Sequence, residues 1–200
     1  MDDISIRLEK PGDYKVVEEL TRAAFDNPDR VNRSKIECPL EHYMVHSLRK
    51  KDGIMALNFV AEMNGHIVGH IIFSSAHILQ PNGSKKPVLN FGPLSVLPQL
   101  QRKGIGSALM NHSIKQAKKL GYGAIVFFGH PEYYPRFGFV QAKEFCITNR
   151  NGRNSSALMA MELQKGHLRD VAGKFIEADI YDDDLNRKQA QEFDKRFRAV

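Results

Sequence analysis

Cysteine is scarce in this 200-residue sequence, where Cys38 and Cys146 are the only two. No disulfide framework can hold the fold together, and a reducing cytoplasm is the expected setting. No apolar run approaches the ~18 residues of a membrane-spanning helix. The start, Met1-Asp2-Asp3-Ile4, is acidic and lacks the apolar stretch of a secretory signal, so none is expected there. Internal repeats and low-complexity stretches are also absent. So is a long basic block, although Lys and Arg (29) exceed Asp and Glu (23), for a net charge of +6 and a pI of about 9.3. The surplus lies in twos and threes: Arg49-Lys50-Lys51, Lys85-Lys86, Arg102-Lys103 and Lys118-Lys119. Such a balance attracts anions. Without a recognised binding motif it reads as solvated surface ahead of a nucleic-acid patch.

What is present is ordinary for a globular domain: 42% hydrophobic and 26% charged residues. The length fits one domain with a short appendage. Residues 3–8 alternate like a half-buried strand. Tyr14, Val17, Leu20, Ala24 and Phe25 recur at helical spacing, which predicts a helix over 13–26 with Asp13 as its N-cap. Residues 27–37 read as loop, and Pro39 opens a second helix carrying Leu40, Tyr43, Met44 and Leu48. The apolar runs 57–63 and 66–76 flank Asn64-Gly65, a strong hairpin signal. A turn at 81–84 leads to a strand near 88–97.

A helix over 104–120 follows, with Ile105, Leu109, Met110, Ile114, Ala117 and Leu120 on one face, closed by Gly121. Residues 124–128 look like a central strand buried on both faces. Weaker strands are expected at 143–149 and 156–163, with Cys146 in the core. The order describes an α/β domain with a mixed sheet over 1–165. From 166 to 200 the composition shifts to a charged C-terminal extension, expected to be helical and packed on the domain.

The segment that carries chemistry runs from Phe91 to Leu109. A strand ends near Pro98, a polar loop follows, and a helix starts at Gly104 and Gly106. Backbone N–H groups at a helix start lack intrahelical partners, and the helix dipole adds positive charge there. Together they form an anion site, which glycines let a diphosphate approach closely. A Walker loop is absent. The dinucleotide fingerprint fails as well, because position 109 is Leu and several strands precede the loop.

The pattern Gln101-x-x-Gly104-x-Gly106, preceded by Leu94-Ser95-Val96 and followed by Gly129-His-Pro-Glu-Tyr-Tyr-Pro-Arg-Phe-Gly-Phe139, resembles the GNAT acetyltransferases, most closely their YhbS-like subgroup. The resemblance covers about 4–163 and is strongest over 88–142. It implies a mostly antiparallel sheet, splayed at the centre and flanked by helices, with acetyl-CoA as cosubstrate. By this resemblance Gln101, Arg102, Lys103, Gly104, Ile105, Gly106 and Ser107 hold the pyrophosphate. Arg102 and Lys103 attract the phosphates. The backbone of Leu94, Ser95 and Val96 takes the pantetheine arm and the oxyanion.

Tyr134 is the candidate general acid. A phenol with pKa about 10 is protonated at neutral pH and can donate to a thiolate whose conjugate acid is near about 8.5. Tyr133 beside it is an alternative. The implied reaction is direct transfer of acetyl to a primary amine on a small molecule or peptide.

The base is not legible. Some family members carry a glutamate six residues before the position of Val96, where this chain has Asn90. His130, Glu132, His70, His77 or a water chain remain open. His42 and His46, four apart on a helix, lack an evident third metal ligand, so no metal is expected. Cys146 has no activating partner and is not expected to act as a nucleophile. A non-catalytic acyl-CoA sensor and a basic nucleic-acid-associated protein are the rival readings. The acceptor, and whether the extension completes a pocket or a homodimer interface, are not readable.

Overall fold

The protein is described here by a computed structural model covering residues 4–26 and 38–197. The loop expected over 27–37 lies outside the described residues. The strands are β1 (Ile4–Leu8), β2 (Gly53–Met63), β3 (His66–Leu79), β4 (Lys85–Val96), β5 (Ala124–Phe128), β6 (Val140–Gln141), β7 (Ile147–Thr148), β8 (Leu158–Glu162) and β9 (Gly173–Ile176). The helices are α1 (Tyr14–Phe25), α2 (Glu41–Leu48), α3 (Ile105–Lys119) and α4 (Asp183–Asp194). Among the described residues the strands form one open, mostly antiparallel sheet. Its order is β1-β2-β3-β4-β5-β8-β6, and β9 pairs with β3 and β7. The chain divides into two compact units. The first comprises residues up to 72, 92–110 and from 179 on; the second comprises 73–91 and 111–178.

In the first unit β1 runs antiparallel to β2, with Ile4 opposite Met63 and Leu8 opposite Phe59. Asn64 (φ 52°) and Gly65 (φ 78°) turn the hairpin into β3, the left-handed pair that a tight two-residue turn requires. Val17 of α1, Val45 of α2 and Val60 of β2 pack together in the core. Asp13 does not cap α1 as expected. Its carboxylate accepts the Lys10 N–H at 2.7 Å and two bonds from Arg7, at 2.6 and 3.1 Å. The preceding turn and the Arg7 guanidinium outcompete the helix for it.

The C-terminal helix begins as its sequence suggests, with the Asp182 side chain accepting from the N–H groups of Asp184 and Leu185. Its apolar side joins Leu40 and Met44 through Ala190, alongside Tyr43, Ile180 and Tyr181. At its end the fully buried Asp194 accepts from Arg22 Nε at 2.6 Å, and His42 Nε2 lies 3.3 Å away. The His42 ring sits 5.2 Å from that of Phe193 and 5.3 Å from that of Phe197. Burial pushes the His42 pKa down to about 4, against the pull of Asp194 and with a smaller push from Arg22.

The second unit is built on β5. It pairs parallel with β4 at Leu89–Ile125 and antiparallel with β8 along its whole length. Alternate residues of β4 and β5 face opposite sides of the sheet. Val88, Ala124 and Val126 join Ile78, Leu158, Ala160 and Phe175 in one core. On the other side Phe91, Phe127 and Phe139 stack with ring centroids 4.1–6.4 Å apart.

The strand expected over 143–149 is broken. Ala142–Phe145 forms a 3-10 turn, Cys146 adopts φ 56°, and only Ile147–Thr148 is extended. A left-handed residue cannot continue a strand, so Cys146 is exposed rather than in the core. Leu120 is also exposed, at 51%, because it follows the last turn of α3. The stretch from 166 is not purely helical. Residues 174–176 pair with 77–79 of β3, which makes β9 part of the sheet.

The His42 environment gives a pH dependence with a definite sign. A folded-state pKa lowered from 6.5 to about 4 means the unfolded chain binds more protons in that window. Stability is therefore full above about 6.5 and falls as the pH drops toward 4. The loss is about 3 kcal/mol. Urea titrations from pH 7 to 4 should show this slope for the wild type and a shallower one for His42→Phe.

Candidate functional site

The end of β4 alternates as a strand packed on one side. Ser95 is buried, and its Oγ donates to Thr21 Oγ1 at 3.0 Å. Leu94 and Val96 are half-buried rather than full core residues. The chain then makes a 3-10 turn over Pro98–Leu100. Gln101 closes the turn, with its N–H on Pro98 O and its side-chain Nε2 donating to Val96 O at 3.2 Å. The Gln101 amide thus ties the loop back to the strand that precedes it.

Arg102 (φ 62°) and Gly104 (φ 89°) both take left-handed backbone on either side of Lys103. Left-handed residues interspersed with right-handed ones turn successive N–H groups toward one point, which makes an anion-binding concavity. Arg102, Lys103 and Gly104 are exposed, while Ile105 is buried. The α3 ladder starts with the Ala108 N–H on Gly104 O, 2.9 Å. The N–H groups of Gly104, Ile105 and Gly106 therefore precede it and have no intrahelical acceptor. Gly106 and Ser107 lie half-buried in the first turn. The positive end of a 15-residue helix stands behind this loop. The whole set Leu94–Val96 and Gln101–Ser107 falls in the first unit.

Tyr134 belongs to the second unit. It starts a 3-10 turn, Tyr134–Phe137, that ends at Gly138 (φ 94°). Its ring meets Phe127 edge-on at 4.6 Å and lies 5.8 Å from that of Phe91. Gly129 allows this approach, because a Cβ there would overlap the rings of Phe127 and Tyr134. Burial foremost, and then Tyr133, pushes the Tyr134 phenol up to about 12. Such a group stays protonated at neutral pH and can act as a proton donor. Tyr133 stands edge-on to Tyr134 at 5.0 Å, with the Arg136 guanidinium 4.4 Å over its ring. That stacking holds its ring to the arginine side.

The four side chains considered as bases separate clearly. His130 and Glu132 are exposed, in the turn after β5. His70 is sealed inside the first unit. Asn58 Nδ2 donates to Glu9 Oε2, which leaves Asn58 Oδ1 to accept from His70 Nε2 at 2.7 Å. Burial and the Arg49 charge hold that ring well below its ordinary pKa, so it is neutral and has no path to a substrate. His77 is half-buried in β3, opposite Ile176 of β9, with its pKa lowered by burial and by Lys85. His42 and His46 do not face one another: His42 meets Asp194, and His46 Nδ1 lies 3.0 Å from Glu18 Oε1. One carboxylate escapes sequence reasoning altogether. Glu177 Oε2, just past β9, accepts from Asn90 Nδ2 at 3.2 Å across 87 residues of chain. No spacing rule connects the two.

Comparison with known proteins bears on the family. The model of the acetyltransferase (GNAT) family matches residues 16–139. An Escherichia coli protein named as the uncharacterized N-acetyltransferase YhbS is 28% identical over 169 residues, covering 84% of this chain and 92% of its own. The crystal structure of YhbS from E. coli in complex with CoA superposes with a TM-score of 0.77 at 24% identity, covering 90% of this chain and 93% of that one. A GNAT acetyltransferase from Brucella melitensis, solved in complex with acetyl-CoA, gives 0.67 at 26% identity over 91% of this chain and all of that one (100%). The matched stretch contains the loop at 101–107 and the turn at Tyr134, and the chain belongs to the GNAT acetyltransferase family.

Proposed function

We propose that this chain is an acetyl-CoA-dependent N-acetyltransferase that moves acetyl directly onto a primary amine. The observation that carries this reading is the anion-binding loop at the head of α3. Its backbone is left-handed at Arg102 and Gly104, where a diphosphate would meet several N–H groups at once. That the YhbS structure holds CoA and the Brucella one acetyl-CoA supports the same ligand here.

In this reading the N–H groups of residues 102–107 bind the pyrophosphate, and the exposed Arg102 and Lys103 draw it in. The edge of β4 at Leu94, Ser95 and Val96 receives the pantetheine arm and the oxyanion. Fixed donors at such a position stabilise charge only as it develops. Tyr134 protonates the leaving thiolate. The transferase domain is residues 1–165, and 166–200 is an extension that contributes β9 and α4. The setting is cytoplasmic, and the acceptor is an amine on a small molecule or peptide.

Calorimetry tests the loop and the acid separately. Acetyl-CoA should bind at one site per chain. Gly104→Asp should abolish that binding, because it adds a side chain and a negative charge where the phosphates sit. Undiminished binding by this variant would sink the loop assignment. Tyr134→Phe should leave binding intact and lower turnover by ~100-fold or more, the usual weight of a general acid. Acetyl-CoA binding with no CoA release on any amine would favour a sensor.

A further inference from the structure

The basic surplus of this chain is not confined to the loop at residues 101–107. A second set of cations gathers where α2 and α4 pack on one another within the first unit. We propose that the groove between these two helices is a docking site for an acidic, extended segment of a partner protein. None of its residues belongs to the proposed acetyl-CoA site, so it is independent of the transferase reading.

Each helix contributes one face. Tyr43, His46 and Lys50 recur at steps of three and four from α2 into the turn that follows it. Lys188, Glu192 and Arg196 recur at steps of four along α4 and into the turn after it. The groove encloses about 620 Å³, within the range of clefts that hold a ligand. Its floor is apolar. Tyr43 is half-buried, and its ring lies 5.7 Å from that of Phe193. The His46 ring is fixed beside them, with Nδ1 3.0 Å from Glu18 Oε1 and its centroid 4.6 Å from that of Phe193.

The rim is cationic and largely uncompensated. Lys50, Lys188 and Arg196 are exposed. Among the described residues none of the three has a carboxylate partner. Lys51, also on the groove, stands 4.0 Å from Asp52. The carboxylate that lines the groove, Glu192, is already taken by Lys195 at 2.5 Å. The Arg196 guanidinium lies 5.1 Å over the Phe193 ring. That contact holds a planar fork of donors at the groove, the geometry that suits a carboxylate.

The layout selects the occupant. Lys188 and Arg196 are two turns apart, about 12 Å along a helix axis. The charges are strung along the groove instead of converging on one point, so a chain with spaced carboxylates meets them where a single phosphate group would not. A single-stranded nucleic acid would bring bases that stack on an open aromatic face. Phe193 offers none. It is 4% exposed, and the rings of His42, Tyr43, His46 and Phe197 surround it at 4.6–5.7 Å. What the floor can take is an aliphatic side chain. An acidic stretch interrupted by one such residue therefore fits both rim and floor.

The test titrates the full chain against fluorescein-labelled Glu-Glu-Leu-Glu-Glu at low salt, read by anisotropy. Binding at one site per chain is expected, and it should weaken as salt rises. Lys50→Glu combined with Lys188→Glu should weaken it ~10-fold or more, because two attractions become two repulsions. Both positions are exposed, so this double variant should melt like the wild type. Arg196→Lys should lose less affinity than Arg196→Gln, and a probe with Ser in place of Leu should bind more weakly. Arg102→Glu, in the loop, should leave the affinity unchanged. Absence of saturable binding, or wild-type affinity in the double variant, would overturn the groove as a docking site. So would a loss in Arg102→Glu as large as in the double variant. A short oligothymidylate that binds more tightly than the peptide, and loses affinity in the same double variant, would overturn the acidic peptide as the occupant.

Discussion

The first turn of α3 packs closely on β3 at Gly69, which has no side chain to hold it off. A Cβ there would sit 3.0 Å from the Ile105 and Leu109 methyls and 3.2 Å from Ser95 O. At those distances the two methyls, or the helix that carries them, would have to give by a few tenths of an ångström. Ile105 and Leu109 are both buried against this spot, while Gly104, one residue earlier, is exposed. The helix start is thus pinned on its apolar side and open on its polar side. Its N–H groups can point outward as a fixed array only while that packing holds. The Gln101 side chain, bonded to Val96 O, anchors the other end of the loop to β4. Phosphate binding in this account is a consequence of core packing, and the two charged loop side chains add attraction rather than geometry.

β4 contributes residues to both units. Its C-terminal end, at Leu94–Val96, leads into the loop, and Ser95 fixes it to α1 through Thr21. Its middle is buried on both sides, by Phe91 among aromatic rings and by Asn90 against Glu177. Tyr134 reaches the aromatic side because Gly129 leaves room for its ring.

Much of this was legible in the sequence because it depends on local rules. The hairpin at Asn64-Gly65, the helix beginning at the glycines, the strand 124–128 (buried only to Phe127, since Phe128 is exposed) and the order of the two motifs all follow from spacing and turn chemistry. The failures also have physical causes. Cys146 looked like strand core, since its neighbours are apolar, but its left-handed backbone ends the strand. Asp13 had the residue type of a cap, and Arg7 and the Lys10 N–H took its carboxylate instead. The C-terminal stretch was too polar to betray β9, which exists only because β3 offers it an edge at 77–79. The contact between Asn90 and Glu177 spans most of the second half of the chain, and no periodicity reports a pairing of that kind. Absence of a glutamate at position 90 was readable, but the carboxylate just past β9 that accepts from Asn90 was not.

The claim on which the rest depends is that backbone N–H groups of the loop bind the diphosphate. Hydrogen exchange resolved to single amides, with and without saturating acetyl-CoA, tests it most directly. The account expects strong slowing at residues 102–106, which precede the α3 ladder and should exchange freely without ligand. Protection confined to other parts of the chain, with those amides exchanging at the same rate in both states, would contradict it.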